Sequence, residues 1–176
     1  MIYFVRHGES EANEKGVFAG QREDSPLTDK GREEAKKTAE QILADHLNIK
    51  RIISSPLVRT KETAQIIALT IGFNDPIEFD DRITEYDFGV LTGKPKEKLS
   101  SLQLISAEGA EDPDVLHGRV NAFFRELLNI EDDILIVSHG GVGKILESAK
   151  QGIENKLFFD LPHYPNGHIT KIDWIK

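Results

Sequence analysis

Two short runs, Ile2-Tyr3-Phe4-Val5 and Ile134-Leu135-Ile136-Val137, constrain this chain more than any other feature. Each is continuously apolar, so neither suits a sheet with one wetted face. Both read as strands buried on two sides, as in a parallel sheet. Each also runs directly into a histidine and a glycine: Arg6-His7-Gly8 after the first, Ser138-His139-Gly140-Gly141 after the second. In open α/β sheets, ligands bind just beyond the carboxyl ends of the strands. Two histidines are therefore delivered to one rim.

Between these runs the chain changes character repeatedly. Residues 8–27 are rich in Gly, Glu, Asn and Asp and lack periodicity, which predicts a long loop of the functional kind. Thr28 is a natural N-cap, although Gly31 at N3 forgoes a capping box. Ala35, Ala39, Ile42, Leu43 and Leu47 then recur at helical spacing. Arg51-Ile52-Ile53 reads as a second strand. Ser55-Pro56 predicts a helix start, serine capping and proline at the first helical position. Ala64, Ile67, Ala68 and Ile71 carry that helix to Gly72. Ile77-Glu78-Phe79 is the candidate third strand. Residues 94–112 are weakly patterned, with Lys94, Lys96 and Lys98 suggesting a solvated stretch. Helical spacing returns from Pro113 through Val120, Phe123, Phe124, Leu127 and Leu128. A further helix is expected from Val142 to about Lys150, and residues 168–174 alternate as a final edge strand.

Strands alternating with helices predict an α/β fold: three layers, α/β/α, with a mostly parallel sheet and helices on both faces. The 176 residues suit a single domain over 1–176 with a real core. Absence of cysteine excludes disulfides, thiolate metal sites and cysteine nucleophiles. No apolar stretch approaches the roughly 18 residues that span a membrane, and no export signal opens the chain. A cytoplasmic protein without membrane partners is expected. The net charge of −8 argues against nucleic acid as a partner. Oligomeric state is not indicated.

An acidic protein with a local basic pocket is the interesting case. Arg6 and His7 leave the first strand, Arg59 lies about one turn into the helix after Ser55-Pro56, and Glu85 follows the third strand. His139 leaves the fourth, where Gly140 and Gly141 allow close backbone approach. Two arginines, two histidines and helix N-termini make an anion site. Arginine forks match phosphate oxygens in pairs. The expected partner is a small-molecule phosphate monoester, carrying about −1.5 to −2 charges near neutrality. Neutral histidine is a nucleophile able to carry a phosphoryl group, and a glutamate can protonate the leaving oxygen. Glu85 stands among Tyr86, Phe88 and Val90, a setting in which a role as that acid is expected.

These residues carry a resemblance across nearly the whole chain. Arg6-His7-Gly8-Glu9-Ser10 with Asn13, Ser25-Pro26-Leu27-Thr28-Asp29-Lys30-Gly31, Ser54-Ser55-Pro56-Leu57-Val58-Arg59-Thr60 with Glu62-Thr63-Ala64, Glu85-Tyr86-Asp87-Phe88-Gly89 and Val137-Ser138-His139-Gly140-Gly141 stand in order. Together they resemble the histidine phosphatase superfamily, which includes cofactor-dependent phosphoglycerate mutases. The resemblance implies a phosphoglycerate mutase-like fold, with His7 as the phosphorylated nucleophile. It implies Arg6, Arg59 and His139 as the phosphate pocket, Glu85 as proton donor and Asn13 as a further phosphate contact. Gly20 and Gln21 align loosely with a substrate-loop position, the spacing to Pro26 being one residue longer than usual. Neither metal nor other cofactor is expected. Thr92-Gly93 departs from the Glu-Gly pair of many phosphatase relatives. The span from Glu85 to His139 is shorter than in mutases, which favours hydrolysis over transfer because water can reach the phosphohistidine. A phosphoglycerate mutase and a catalytically silent phosphoester-binding module are the rivals.

Other motifs carry less. Gly140-Gly141-Val142-Gly143-Lys144 fails as a P-loop, because Ser138 and Ile145 stand at required positions. His163 and His168 lack partners spaced for a metal. Phe18 and Phe88 read as packing residues rather than substrate clamps.

Overall fold

The computed structural model describes residues 1–96, 99–162 and 164–172. Lys98, His163 and Trp174 lie outside the described residues. The sheet has five strands: β1 (Ile2–Arg6), β2 (Ile49–Ser54), β3 (Glu78–Phe79), β4 (Asp133–Ser138) and β5 (Ile169–Ile172). Their order is β3-β2-β4-β1-β5, and only the last joins antiparallel. Helices α1 (Glu11–Glu14), α2 (Asp29–Ala44), α3 (Val58–Ile71), α4 (Ser101–Ile105), α5 (Pro113–Leu127) and α6 (Gly140–Gln151) complete the fold, with 3₁₀ turns at Asp81–Ile83, Gly89–Leu91 and Asn155–Asp160.

The apolar runs are buried on both faces because each face has its own core. Phe4, Ile134 and Ile136 point toward α5 and α6, where Leu116, Val120, Phe123, Phe124, Val142 and Ile145 meet them. Tyr3, Val5, Leu135 and Val137, one residue out of phase, face Ala39 and Ile42 of α2 and Ala64 and Ile67 of α3. Side chains alternate along a strand, so continuous hydrophobicity supplies two cores at once. The result is the expected α/β architecture in three layers.

Local expectations shift in four places. The 8–27 segment is not all loop: it contains α1, whose capping box pairs Ser10 with Asn13. Four residues are too few to show a periodic pattern. Likewise α4, capped by Ser100 and Gln103, interrupts the unpatterned 94–112 stretch. The third helix starts at Val58 rather than Pro56, with Leu57 at the N-cap. Ser55 Oγ is engaged by His139 Nε2 at 2.8 Å instead of capping. The α3 N-terminus is served from a distance: Val58 N–H donates to Asp24 Oδ1 at 2.7 Å. Leu47 lies beyond the end of α2, and Leu43 is half exposed on it. Thr28 caps α2 as expected, accepting from Gly31 N–H at 3.1 Å.

Candidate active site

Arg6 pairs with Ser138 at the last rung of the β1–β4 ladder, so His7 and His139 leave the sheet side by side. Their rings meet edge to face, centroids 5.3 Å apart, and both are buried. The turn bearing His7 is held from several directions. His7 N–H donates to the Ser138 carbonyl at 2.9 Å, and Gly8 N–H to Thr63 Oγ1 at 3.1 Å. Asn166 Nδ2 donates to the His7 carbonyl at 2.8 Å. Gly8 and Gly31 pack backbone to backbone, and a Cβ on either would strike main-chain atoms of the opposing segment. Glycine is required at both by close approach.

His7 Nδ1 lies 2.6 Å from the Gly8 carbonyl oxygen. A carbonyl accepts only, so Nδ1 carries the proton and Nε2 keeps its lone pair. Burial first, then the Arg59 and Arg6 guanidiniums, hold the His7 pKa well below its usual 6.5, against the Gly8 hydrogen bond. The imidazole is neutral, and Arg59 Nε donates to Nε2 at 3.3 Å. His139 is driven down by burial and then by Arg59, His7 and Arg6. Its Nδ1 has no hydrogen-bond partner among the described residues.

Arg59 belongs to the first turn of α3 and is almost fully enclosed. Its guanidinium donates to the carbonyls of Gly20 at 2.8 Å and Glu23 at 3.2 Å, and lies 3.7 Å from the Asp24 carboxylate. It thereby joins the 20–24 loop to His7. Arg6 donates to the Tyr164 carbonyl. Burial lowers its pKa to about 10, opposed by Glu85, so it stays charged at neutral pH.

Glu85 reaches the same space from the turn after β3. Its carboxylate accepts from Tyr86 N–H at 3.0 Å and from Gly141 N–H at 3.0 Å, in the first turn of α6. A Cβ on Gly141 would collide with Glu85 Oε1, so that glycine makes room for the acid. Asn13 is doubly used: its Oδ1 accepts from Ser10 N–H at 3.2 Å in the capping box while the residue borders the cleft. The oxygen being spent, the amide hydrogens remain for an anion.

Arg6, His7, Asn13, Gly20, Arg59, Glu85 and Gly140 line one cleft of about 260 Å³. His139 stands behind His7 rather than on the wall, and Gln21 does not line the cleft. Phe18 and Phe88 do pack on each other, yet both border the cleft. Lys96, expected on a solvated stretch, borders it too: its N–H donates to the Gly16 carbonyl at 2.7 Å, a long-range pairing no local pattern reveals. Sequence reasoning did not assign Leu104, Lys144 and Phe159 to the site. Lys144 carried a usable signal, lying four residues after Gly140 on one helix face. Leu104 and Phe159 carried none. Among the described residues, no group of three or more His, Asp or Glu side chains is gathered in a way that could hold a metal ion. Nor is any helix among them long and apolar enough to cross a membrane.

Known proteins resemble this chain in sequence and in fold. The family model for the histidine phosphatase superfamily (branch 1) matches residues 2–176. A protein of Salmonella choleraesuis (strain SC-B67) named probable phosphoglycerate mutase GpmB is 39% identical, over 79% of this chain and 69% of that protein. Bacillus stearothermophilus YhfR superposes with a TM-score of 0.83 at 25% identity, over 98% of this chain and 91% of its own. A mycobacterial glucosyl-3-phosphoglycerate phosphatase shares the fold, with a TM-score of 0.79 at 22% identity over 96% of this chain and 90% of its own. With the family model spanning all but the first residue, the chain belongs to branch 1 of the histidine phosphatase superfamily.

Proposed function

We propose that this protein is a phosphatase that hydrolyses small phosphate monoesters, without a metal ion, through a phosphohistidine on His7. The observation that carries the reading is the state of His7. It is a buried neutral imidazole with Nδ1 committed to the Gly8 carbonyl and Nε2 facing a guanidinium at the cleft. On this reading Nε2 is the nucleophilic atom, its lone pair left free of the proton.

The reaction follows from the groups around it. Bound phosphate draws Arg59 from Nε2, and Nε2 attacks phosphorus as the ester P–O bond breaks. Glu85 gives its proton to the departing oxygen. Arg6, Arg59 and Asn13, which line the cleft, spread donors over the equatorial oxygens, where charge is held in the transition state. Water then attacks the phosphohistidine, Glu85 takes its proton, and the P–N bond breaks to restore His7.

Hydrolysis is favoured over transfer by the span between Glu85 and His139. Apart from α5, which covers the sheet, and β4 within it, that span holds a 3₁₀ turn and the five-residue α4. The 39% identical relatives named as probable mutases supply the second reading. The two separate in one assay, run with EDTA present. A panel of phosphorylated metabolites is expected to release inorganic phosphate. Interconversion of phosphoglycerates without net release, dependent on a bisphosphate primer, would establish the mutase instead.

A further inference from the structure

Beyond the phosphate cradle the cleft has a second character. Phe18 and Phe88 meet at 4.8 Å between centroids, and Phe88 meets Phe159 at 5.8 Å with planes only 36° apart. Tyr86 and Phe158, both fully buried, back Phe159 at 5.0 and 4.0 Å. The core beneath is therefore already filled, yet Phe88 and Phe159 remain only half-buried and border the cleft with Leu104. Three rings in sequence make an apolar wall suited to a flat group.

Two lysines flank that wall, and they differ. Lys144 Nζ donates to the Phe159 carbonyl at 2.8 Å and lies 5.9 Å from its ring, so it holds the wall in place. Lys96 has no carboxylate or carbonyl partner for its ammonium among the described residues, although its backbone is pinned to Gly16 and Val17 pairs with Pro95 beside it. Lys96 lines the cleft at its exposed edge, and there desolvation and the fields of Arg6 and Arg59, partly offset by Glu85, lower its pKa. An unpaired cation at the edge of an aromatic wall is complementary to an anion carried by a ring.

Resting on the phosphatase reading, we propose that the substrate's leaving group is a flat apolar ring bearing a second anion. The ring lies along Phe18, Phe88 and Phe159, and the anion meets Lys96.

Binding to non-hydrolysable phosphonates tests this independently of turnover. Ethylphosphonate, benzylphosphonate and 4-carboxybenzylphosphonate are titrated calorimetrically into the wild type and Lys96→Met. Benzylphosphonate is expected to bind about tenfold more tightly than ethylphosphonate. The carboxylate is expected to add about threefold at low salt, a gain lost in Lys96→Met and diminished by added salt. Equal affinity for the ethyl and benzyl compounds overturns the ring, and a carboxylate gain that survives Lys96→Met overturns the lysine. Equal weakening of all three ligands would assign Lys96 to the phosphate cradle and also overturn the proposal. Turnover of benzyl phosphate, compared between wild type and His7→Ala, reports separately on the phosphatase reading: binding in the expected order without His7-dependent release would contradict that reading while leaving the ring-and-anion site standing.

Discussion

Gly141 has no side chain, and the Glu85 carboxylate occupies the space one would fill. An alanine there pushes Oε1 off the Gly141 N–H and, on the proposed mechanism, out of reach of the leaving oxygen. Gly141→Ala is expected to lower kcat about 10- to 100-fold, within the range general acid catalysis contributes. Gly118→Ala, on α5 with nothing within 4 Å of the new Cβ, is the matched control. It should leave kcat unchanged and raise stability by about 0.5–1 kcal/mol. Equal kcat in the two variants would remove Glu85 from the chemistry. At this scale the sequence was informative where neighbours in the chain decide the outcome. Arg6 and His7 sit where a buried strand must end, so their rim position was legible. Lys96 was not, because its placement depends on a pairing with residue 16 across the fold.

The elements position the chemistry through their ends rather than their middles. β1 and β4 were readable because burial on both faces leaves an unbroken apolar run, and α5 because its buried face repeats at helical spacing. α3 starts two residues after the Ser55-Pro56 signal for a physical reason: Ser55 Oγ serves His139, and the orphan N–H of Val58 is satisfied by Asp24, 34 residues earlier. A cap supplied from a distant loop leaves no local signature. α5 has a further duty. Arg119 donates to the carbonyls of Arg82, Thr84 and Glu85 at 2.8, 2.7 and 3.0 Å and forms an ion pair with Glu111 at 2.8 Å. It clamps the turn that presents Glu85. Arg119→Ala leaves three carbonyls and a largely buried carboxylate unpaired, and should destabilise the fold by about 2–4 kcal/mol in denaturant titrations. A loss under 1 kcal/mol would show that water replaces the clamp.

For the whole molecule, the buried histidines couple folding to pH. His7 and His139 are held neutral, and burial also lowers His117, against Asp114. In the unfolded chain each takes a proton near pH 6.5, so below that the unfolded state binds more protons and stability falls with pH. Each imidazole still neutral in the fold contributes a loss of about 1.4 kcal/mol per pH unit. The carboxylates lowered by ion pairs, Glu9, Glu78, Asp80 and Glu126, lose their contribution only below their ordinary values of 4.5 and 3.8. Between pH 6.5 and 5 the histidines therefore dominate, and Tm should fall steadily across that window; a flat Tm would mean that they titrate normally. The central claim, a covalent phosphoryl group on His7, is tested most directly by intact-mass measurement after mixing with a phosphate monoester and quenching in alkali, where phosphohistidine persists. The expected result is one added phosphoryl group per chain, mapping to His7 and absent from His7→Ala, which also releases no phosphate. Sustained phosphate release by His7→Ala would contradict the account.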